Sequence, residues 1–592
     1  MVLPVVATCA LTFMVGCGGT SDGDSGGSTA ESNAPNISGI APQSGPPAGG
    51  TLVTISGEGF LANVTGATTV TFGGVAADNV NVLDDTTLQA TSPTGTNDLT
   101  VDVRVENSRG VATLGNGFLY LATATIISDL NSDGVPDLVI AASKDDSAAL
   151  NAGAVYVFFG ASGNEVMADS LTSAADVVIR GNAENDRLGA SVVTGDVNSD
   201  GHTDLIIGAP LSDTPVEDAG QVSIFLGPLG NSLSLTGADG DIVLNGEGTV
   251  AGAWYGVMGD EFGSAMALGD RNGDAVLDLL IGAPGVDVNA GQSDELRDAG
   301  RTYLFLGGGL LASGDATAAD EVMDGVKKSD EFGFEVCMVD IDADGNSDPA
   351  VSYDVALSGA NHRGRVAVFT NPVSQAKASD ADVTLSSDED DDRFGFSLIC
   401  GDLNGDGLED LFVGAPYSNA LGSVTGRVYA FQGGASVSSM GANSADVIIS
   451  GQLTGTGFGS ELASADVNGD GYGDLLVGAP FATAAATWDG QVFVFFGGDA
   501  PADTVAYAAD VVLSGEPLPG ERFGSAIEVL DSDADGIADI MTSAAGHGSL
   551  SGRVHVFHGE ENLVDTFAES DDLTLTGESE GGSFGSSISR GK

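Results

Sequence analysis

The chain has 592 residues, 42% of them hydrophobic, which is enough apolar material for packed cores and excludes global disorder. Its 88 glycines, without a collagen period, point to an all-β chain dense in tight turns. With 85 acids against 19 bases and a formal net charge of −66, it lacks the clustered Lys and Arg that nucleic-acid binding or polybasic membrane attachment requires, so its natural partners are cations.

Residues 2–16, VLPVVATCALTFMVG, are almost continuously apolar, too short a run to span a bilayer but suited to an export signal. The run closes on Met14-Val15-Gly16-Cys17, and a Gly/Ser/Asp tether follows over 18–33. The 1–17 segment resembles the lipobox of bacterial lipoproteins. The resemblance implies a lipid on Cys17, membrane contact only through that anchor, and an outer-membrane or cell-surface protein. No Lys or Arg precedes the apolar run, so plain secretion is the alternative.

Over 34–121, short runs alternate apolar and polar residues, with glycine and proline punctuating them every eight to twelve residues, as in a small β-sandwich. Pro42, Gly45-Pro46-Pro47, Gly49-Gly50-Thr51, Gly57-Glu58-Gly59-Phe60, Phe72-Gly73-Gly74 and Ser92-Pro93 together resemble an IPT/TIG immunoglobulin-like domain. That resemblance implies a spacer or interaction module, with no metal or catalytic residue.

From residue 129 a nine-residue string recurs with Asp at position one, Asp or Asn at three, Asp at five, usually Gly at six and Asp at nine. The candidate ligands are Asp129, Asn131, Asp133 and Asp137; Asp196, Asn198, Asp200 and Asp204; Asp270, Asn272, Asp274 and Asp278; Asp340, Asp342, Asp344 and Asp348; Asp402, Asn404, Asp406 and Asp410; Asp466, Asn468, Asp470 and Asp474; and Asp531, Asp533, Asp535 and Asp539. The seven copies recur at a mean pitch of 67 residues, the mark of a repeat architecture. Calcium takes six to eight oxygen ligands, and one tight loop whose alternate side chains point inward can supply them. Glycine at position six permits the sharp turn, and the third loop, with Ala275 there, is the weakest match. An EF-hand would need a Glu at position twelve and flanking helices. Position twelve is Ile207 in the second loop and Val413 in the fifth, and the flanks are short β-branched runs. A strand–loop–strand hairpin caging up to seven Ca²⁺ is therefore the expectation. Single acidic loops are common solvated turns, but crowded carboxylates repeated at a steady pitch would repel strongly without a cation.

Each repeat holds four strand candidates, which is propeller arithmetic. Phe-Gly opens the unit at 262, 332, 394, 458 and 523, and Gly-Ala-Pro closes the second strand at 208–210, 282–284, 414–416 and 478–480. Around the acidic loops these marks closely resemble the FG-GAP repeats of the integrin α-chain propeller. The resemblance covers 122–592 and implies a seven-bladed ring with Ca²⁺ in the loops between first and second strands. Repeat one has Leu121-Ala122 in the FG place, and repeats one, four and seven lack GAP. The tail, with Phe584-Gly585, either starts an eighth unit or enters blade one as its closing strand. Cys337 and Cys400 read as buried free thiols, an inter-blade disulfide being the alternative in an exported protein. His555 and His558 face opposite sides of one strand, and Arg301 and Lys327-Lys328 read as surface charges.

The fold class expected is all-β, a seven-bladed β-propeller preceded by a small immunoglobulin-like sandwich. Gly23-Asp24-Ser25-Gly26-Gly27 and Gly577-Glu578-Ser579-Glu580-Gly581 imitate serine-hydrolase motifs, but lack respectively a preceding histidine and a strand–turn–helix setting. The function expected is a non-catalytic, calcium-binding, cell-surface-tethered adhesion or protein-interaction module, monomeric and directed at an extracellular protein or polysaccharide. The alternatives are an extracellular hydrolase using the propeller as scaffold and a purely structural envelope protein.

Overall fold

The computed structural model describes residues 34–41, 44–45, 52–61, 68–93, 99–120, 129–160, 170–230, 233–248, 259–289, 292, 295–309, 311–355, 363–419, 423–434, 437–498, 500–533, 535–560, 563–579, 581–588 and 590–591. Cys17, the export segment, the tether and the atypical 121–128 stretch lie outside the described residues. The chain divides into two compact units, Met1–Thr125 and Ile126–Lys592. Among the described residues no helix is long and apolar enough to cross a membrane.

The first unit is a sandwich. One sheet pairs Asn36–Ala41, Leu52–Glu58, Thr87–Thr91 and Asp78–Val82. The other carries Ser44–Gly45, Gly110–Tyr120, Leu99–Asn107, Thr69–Phe72 and Val75–Ala76. Alternate residues face inward, so Val53, Ile55, Phe60, Val70, Phe72, Leu88, Val103 and Val105 form one core.

Among its described residues the second unit consists of seven sheets. The fifth repeat serves as the pattern: Ser397–Gly401, Asp410–Ala415, Arg427–Phe431 and Val447–Ser450 pair antiparallel in chain order. The second strands, such as Asp204–Ala209 and Asp410–Ala415, are buried along their whole length, because both faces of each sheet are covered by neighbouring sheets. Their runs accordingly read as continuous Leu, Ile and Val rather than as alternation. The hydrophobic clusters draw on adjacent repeats, so the core lies between sheets.

Two features exceed the four-strand expectation. Each sheet gains a fifth, short parallel strand from the following repeat, as Thr504–Val505 does beside Val447–Ser450, covering what would be an open edge. The series also returns on itself. Ser587–Ile588 pairs antiparallel with Ile140 and Ala141 of the first sheet, while Ser170–Leu171 of the first repeat pairs parallel with Leu575 and Thr576 of the seventh. The tail is thus the closing strand of the first sheet. Innermost strands lie side by side in order, and Ser587–Ile588 touches both Phe523–Leu530 and Ser191–Gly195.

The FG and GAP marks explain how the sheets approach. Gly459 N–H donates to the Gly478 carbonyl within its own sheet at 3.0 Å. Its own carbonyl sits where a Cβ on Gly414, in the preceding sheet, would have to go. Repeats without GAP keep Ala141, Ser352 or Ser543 at that position, all small. Phe458 is buried against Phe493 and Phe495, with ring centroids 5.5 and 6.4 Å away. Cys337 and Cys400 are joined in a disulfide between the fourth and fifth sheets, with Cα atoms 7.0 Å apart, which corrects the free-thiol expectation. Arg301 is not a free surface charge either; it pairs with Glu247 and Asp324 at 14% side-chain exposure.

Candidate functional site

In repeats two to seven the nine-residue string forms the turn between the first and second strands of its sheet, and in the first repeat it leads into Leu138–Ala142, the strand that Ser587–Ile588 flanks. In all seven, the peptide N–H groups of positions five and six donate to the two oxygens of the position-one carboxylate, at 2.7–3.2 Å. The N–H of position seven donates to the position-five carboxylate at 2.9–3.0 Å. The chain therefore wraps round its own side chains and gathers them on one side of the turn. Position six is left-handed in every loop, and Ala275 adopts φ of 64°, so the third loop makes the same turn without glycine. Position four is left-handed too, at Ser132, Ser199, Gly273, Ala343, Gly405 and Gly469, a requirement that sequence reading missed.

Burial rises across the loop. Position-five carboxylates are exposed, position one is half-buried, and position nine, which begins the second strand in six loops and directly precedes it in the first, is at most 1% exposed. In six loops the position-nine carboxylate is pinned on both oxygens by peptide N–H groups. Asp204 accepts from Val197 at 3.0 Å and from Gly227 at 2.9 Å, and Asp474 from Val467 and Gly497 at 3.0 and 2.9 Å. Burial first, then repulsion from positions one and five, pushes Asp204, Asp278 and Asp410 up to about 6 and Asp137 and Asp474 to about 7.

The fourth loop departs from this pattern. Asp348 is pushed up to about 8 and takes the Arg271 guanidinium of the preceding loop at 3.2 Å. Its Oδ2 and the Oδ1 of Asp342 are buried without a hydrogen-bond partner. The carboxylates of Asp340, Asp342 and Asp344, and those of Asp531, Asp533 and Asp535, offer oxygens within 4.8 Å of one another. Hard oxygen donors, gathered on one turn and partly unsatisfied, fit a divalent cation such as Ca²⁺. In four other loops the position-three residue is an Asn whose amide donates to the position-five carboxylate at 2.9–3.1 Å.

A second recurring acid escaped the sequence reading. Two residues before the FG place stand Asp186, Asp260, Asp330, Asp392 and Glu521, each at most 3% exposed. Asp186 and Asp330 each accept two peptide N–H groups of the loop that leads into their sheet. The signal was present as acid-x-Phe-Gly and acid-x-Leu-Gly, overshadowed by the denser loops. His555 bonds Asp571 at 2.9 Å while His558 lies 3.7 Å from Asp533, so the two do not share a site.

This architecture defines a class. Residues 35–120 match the IPT/TIG domain family, and 122–158, 188–225, 262–305, 394–431 and 458–495 match the FG-GAP repeat. The chain carries an IPT/TIG domain followed by FG-GAP repeats. Among curated relatives it is 28% identical over 418 residues to the phosphatidylinositol-glycan-specific phospholipase D of Rattus norvegicus, covering 63% of this chain and 46% of that protein. It is 29% identical over 423 residues to the Homo sapiens protein of the same name, 64% of this chain and 46% of that one. It is also 31% identical over 198 residues to integrin alpha-PS2 of Drosophila melanogaster, 32% of this chain and 13% of the integrin. The chain thus spans about half the length of the phospholipase relatives it matches, and these likenesses fit a propeller interaction module.

Proposed function

We propose that this chain is a non-catalytic interaction module whose FG-GAP sheets form a seven-bladed ring stabilised by Ca²⁺ in the acidic turns. The observation that carries the reading is the seven-fold repetition of one turn in which side-chain oxygens converge, with buried oxygens of Asp342 and Asp348 left unsatisfied in the fourth. Positions one, three, five and nine would hold the ion, and the carbonyl of position seven would complete the shell. The ion supplies positive charge where a carboxylate-rich turn otherwise repels itself. The module is exported and tethered through a lipid on Cys17, and it presents its loops to an extracellular protein or polysaccharide as a monomer. Likeness to an integrin α-chain supports binding over chemistry.

The test is thermal unfolding of the purified chain in calcium and in chelator. A transition at least several degrees lower in chelator, restored by added calcium, is expected; superimposable transitions overturn the reading. Likeness to a phospholipase D favours the competing reading of a hydrolase. Turnover of a glycosylphosphatidylinositol substrate by the purified chain would establish that alternative, whereas calcium-dependent capture of a defined polysaccharide without turnover supports binding.

A further inference from the structure

The loop between the sixth and seventh sheets departs from those that lead into the second and fourth. Asp186 and Asp330 spend one oxygen on the peptide N–H groups four and three residues before them. Glu521 cannot do so. Four residues before it is Pro517, which has no N–H, and three before it is Leu518, whose N–H donates to the Glu516 carbonyl at 2.6 Å. Glu521 Oε1 instead lies 2.8 Å from Nδ1 of His547, and Oε2 is buried without a hydrogen-bond partner in a side chain 3% exposed. The histidine is set there by the backbone, because Gly546 N–H donates to the Glu521 carbonyl at 2.9 Å. Glu516 completes the group, held by the Arg553 guanidinium. Ligating atoms of Glu516, Glu521 and His547 lie within 4.8 Å of one another.

We propose that Glu516, Glu521 and His547 bind a borderline divalent metal ion of the zinc class, at a site distinct in chemistry from the all-oxygen turns. An imidazole nitrogen with two carboxylates suits zinc, whereas calcium selects oxygen alone. The ion gives the orphaned Glu521 oxygen the partner that Pro517 denies it. A buried carboxylate oxygen left bare costs free energy, and a cation with open coordination positions offsets that cost. Arg553 orients Glu516 and leaves one of its oxygens for the ion.

The experiment is calorimetric titration of zinc chloride into the full chain saturated with calcium. One additional site of micromolar or tighter affinity is expected. His547→Ala and Glu521→Gln should each weaken it at least tenfold, and Lys328→Ala, an exposed charge outside these acidic clusters, should leave it unchanged. The calcium-saturated melting transition serves as the fold check, and if His547→Ala fails it, Glu516→Gln takes its place. Absence of zinc uptake by the wild-type chain, or equal uptake by the variants, overturns the proposal and leaves His547 and Glu521 as a plain ion pair.

Discussion

The second and fourth repeats carry the same nine-residue pattern in different surroundings. In the second, Asp204 is pinned by two peptide N–H groups, one of them from Gly227 just beyond the third strand. In the fourth, Asn371 stands in place of that glycine and gives its N–H to Asp382 at 3.3 Å, and Asp348 turns to Arg271 of the neighbouring repeat. Arg271 stands where the second loop has Val197, and it also reaches Glu321 at 3.4 Å, on a strand where the second repeat has Ile242. Three charged groups, each under 10% exposed in its side chain, thus replace apolar and backbone contacts at one seam. A backbone donor can be lost from a repeat if the neighbour supplies a charged one, and the two repeats then cease to be interchangeable.

The largest expected effect breaks that triad. Arg271→Met strands Glu321 and Asp348 as buried, unpaired acids and should destabilise the ring by about 3–5 kcal/mol in denaturant unfolding. Adding Glu321→Val, which restores the apolar pairing found in five of the other repeats, should recover part of the loss; a double variant no better than the single would contradict the ion-triad account. Next, Asp204→Ala orphans two peptide N–H groups and should cost about 2–3 kcal/mol, whereas Asp348→Asn should cost less, since it relieves repulsion from Asp342 and Asp344. Equal losses would argue that the two repeats are equivalent after all. Gly208→Ala would wedge a methyl against the Gly263 carbonyl and should cost about 1–3 kcal/mol, while Ala141→Gly at the matching place in the first repeat should change stability by under about 1 kcal/mol.

The smallest effect is on pH dependence. Burial raises Asp392, at the entry to the fifth sheet, to about 6, where it accepts from Ser387 and Phe394. The folded chain then holds that proton more tightly than the unfolded one. Stability from this group is complete below about pH 4 and is lost as pH rises through about 6. Asp392→Asn should flatten that part of the stability–pH curve, and an unchanged slope would remove Asp392 as its source.

Much of this was legible in the chain. Asp-x-Asn-x-Asp-Gly marks where the turns fall, because glycine at position six takes the left-handed backbone while positions one, three and five present oxygens. Phe-Gly and Gly-Ala-Pro mark where sheets touch, because only small residues admit a neighbour's carbonyl. What stayed hidden depended on contacts between repeats. Nothing in the chain sets Arg271 apart until Asp348 and Glu321 are seen beside it, and the pairing of Cys337 with Cys400 depends on two strands 63 residues apart becoming neighbours. Pro517 carries no motif in the chain, yet it decides which partner Glu521 can find.

The interlocked ends carry a consequence for how the molecule comes into being. Ile140 waits for Ile588, and Leu171 for Thr576, so neither terminal sheet is finished until strands from both ends of the array have met. Such distant pairings make folding slow and keep raw strand edges bare in the meantime. A chain cut before Ser587 would be left with an unlatched first sheet, ready to recruit a stranger's strand in place of its own.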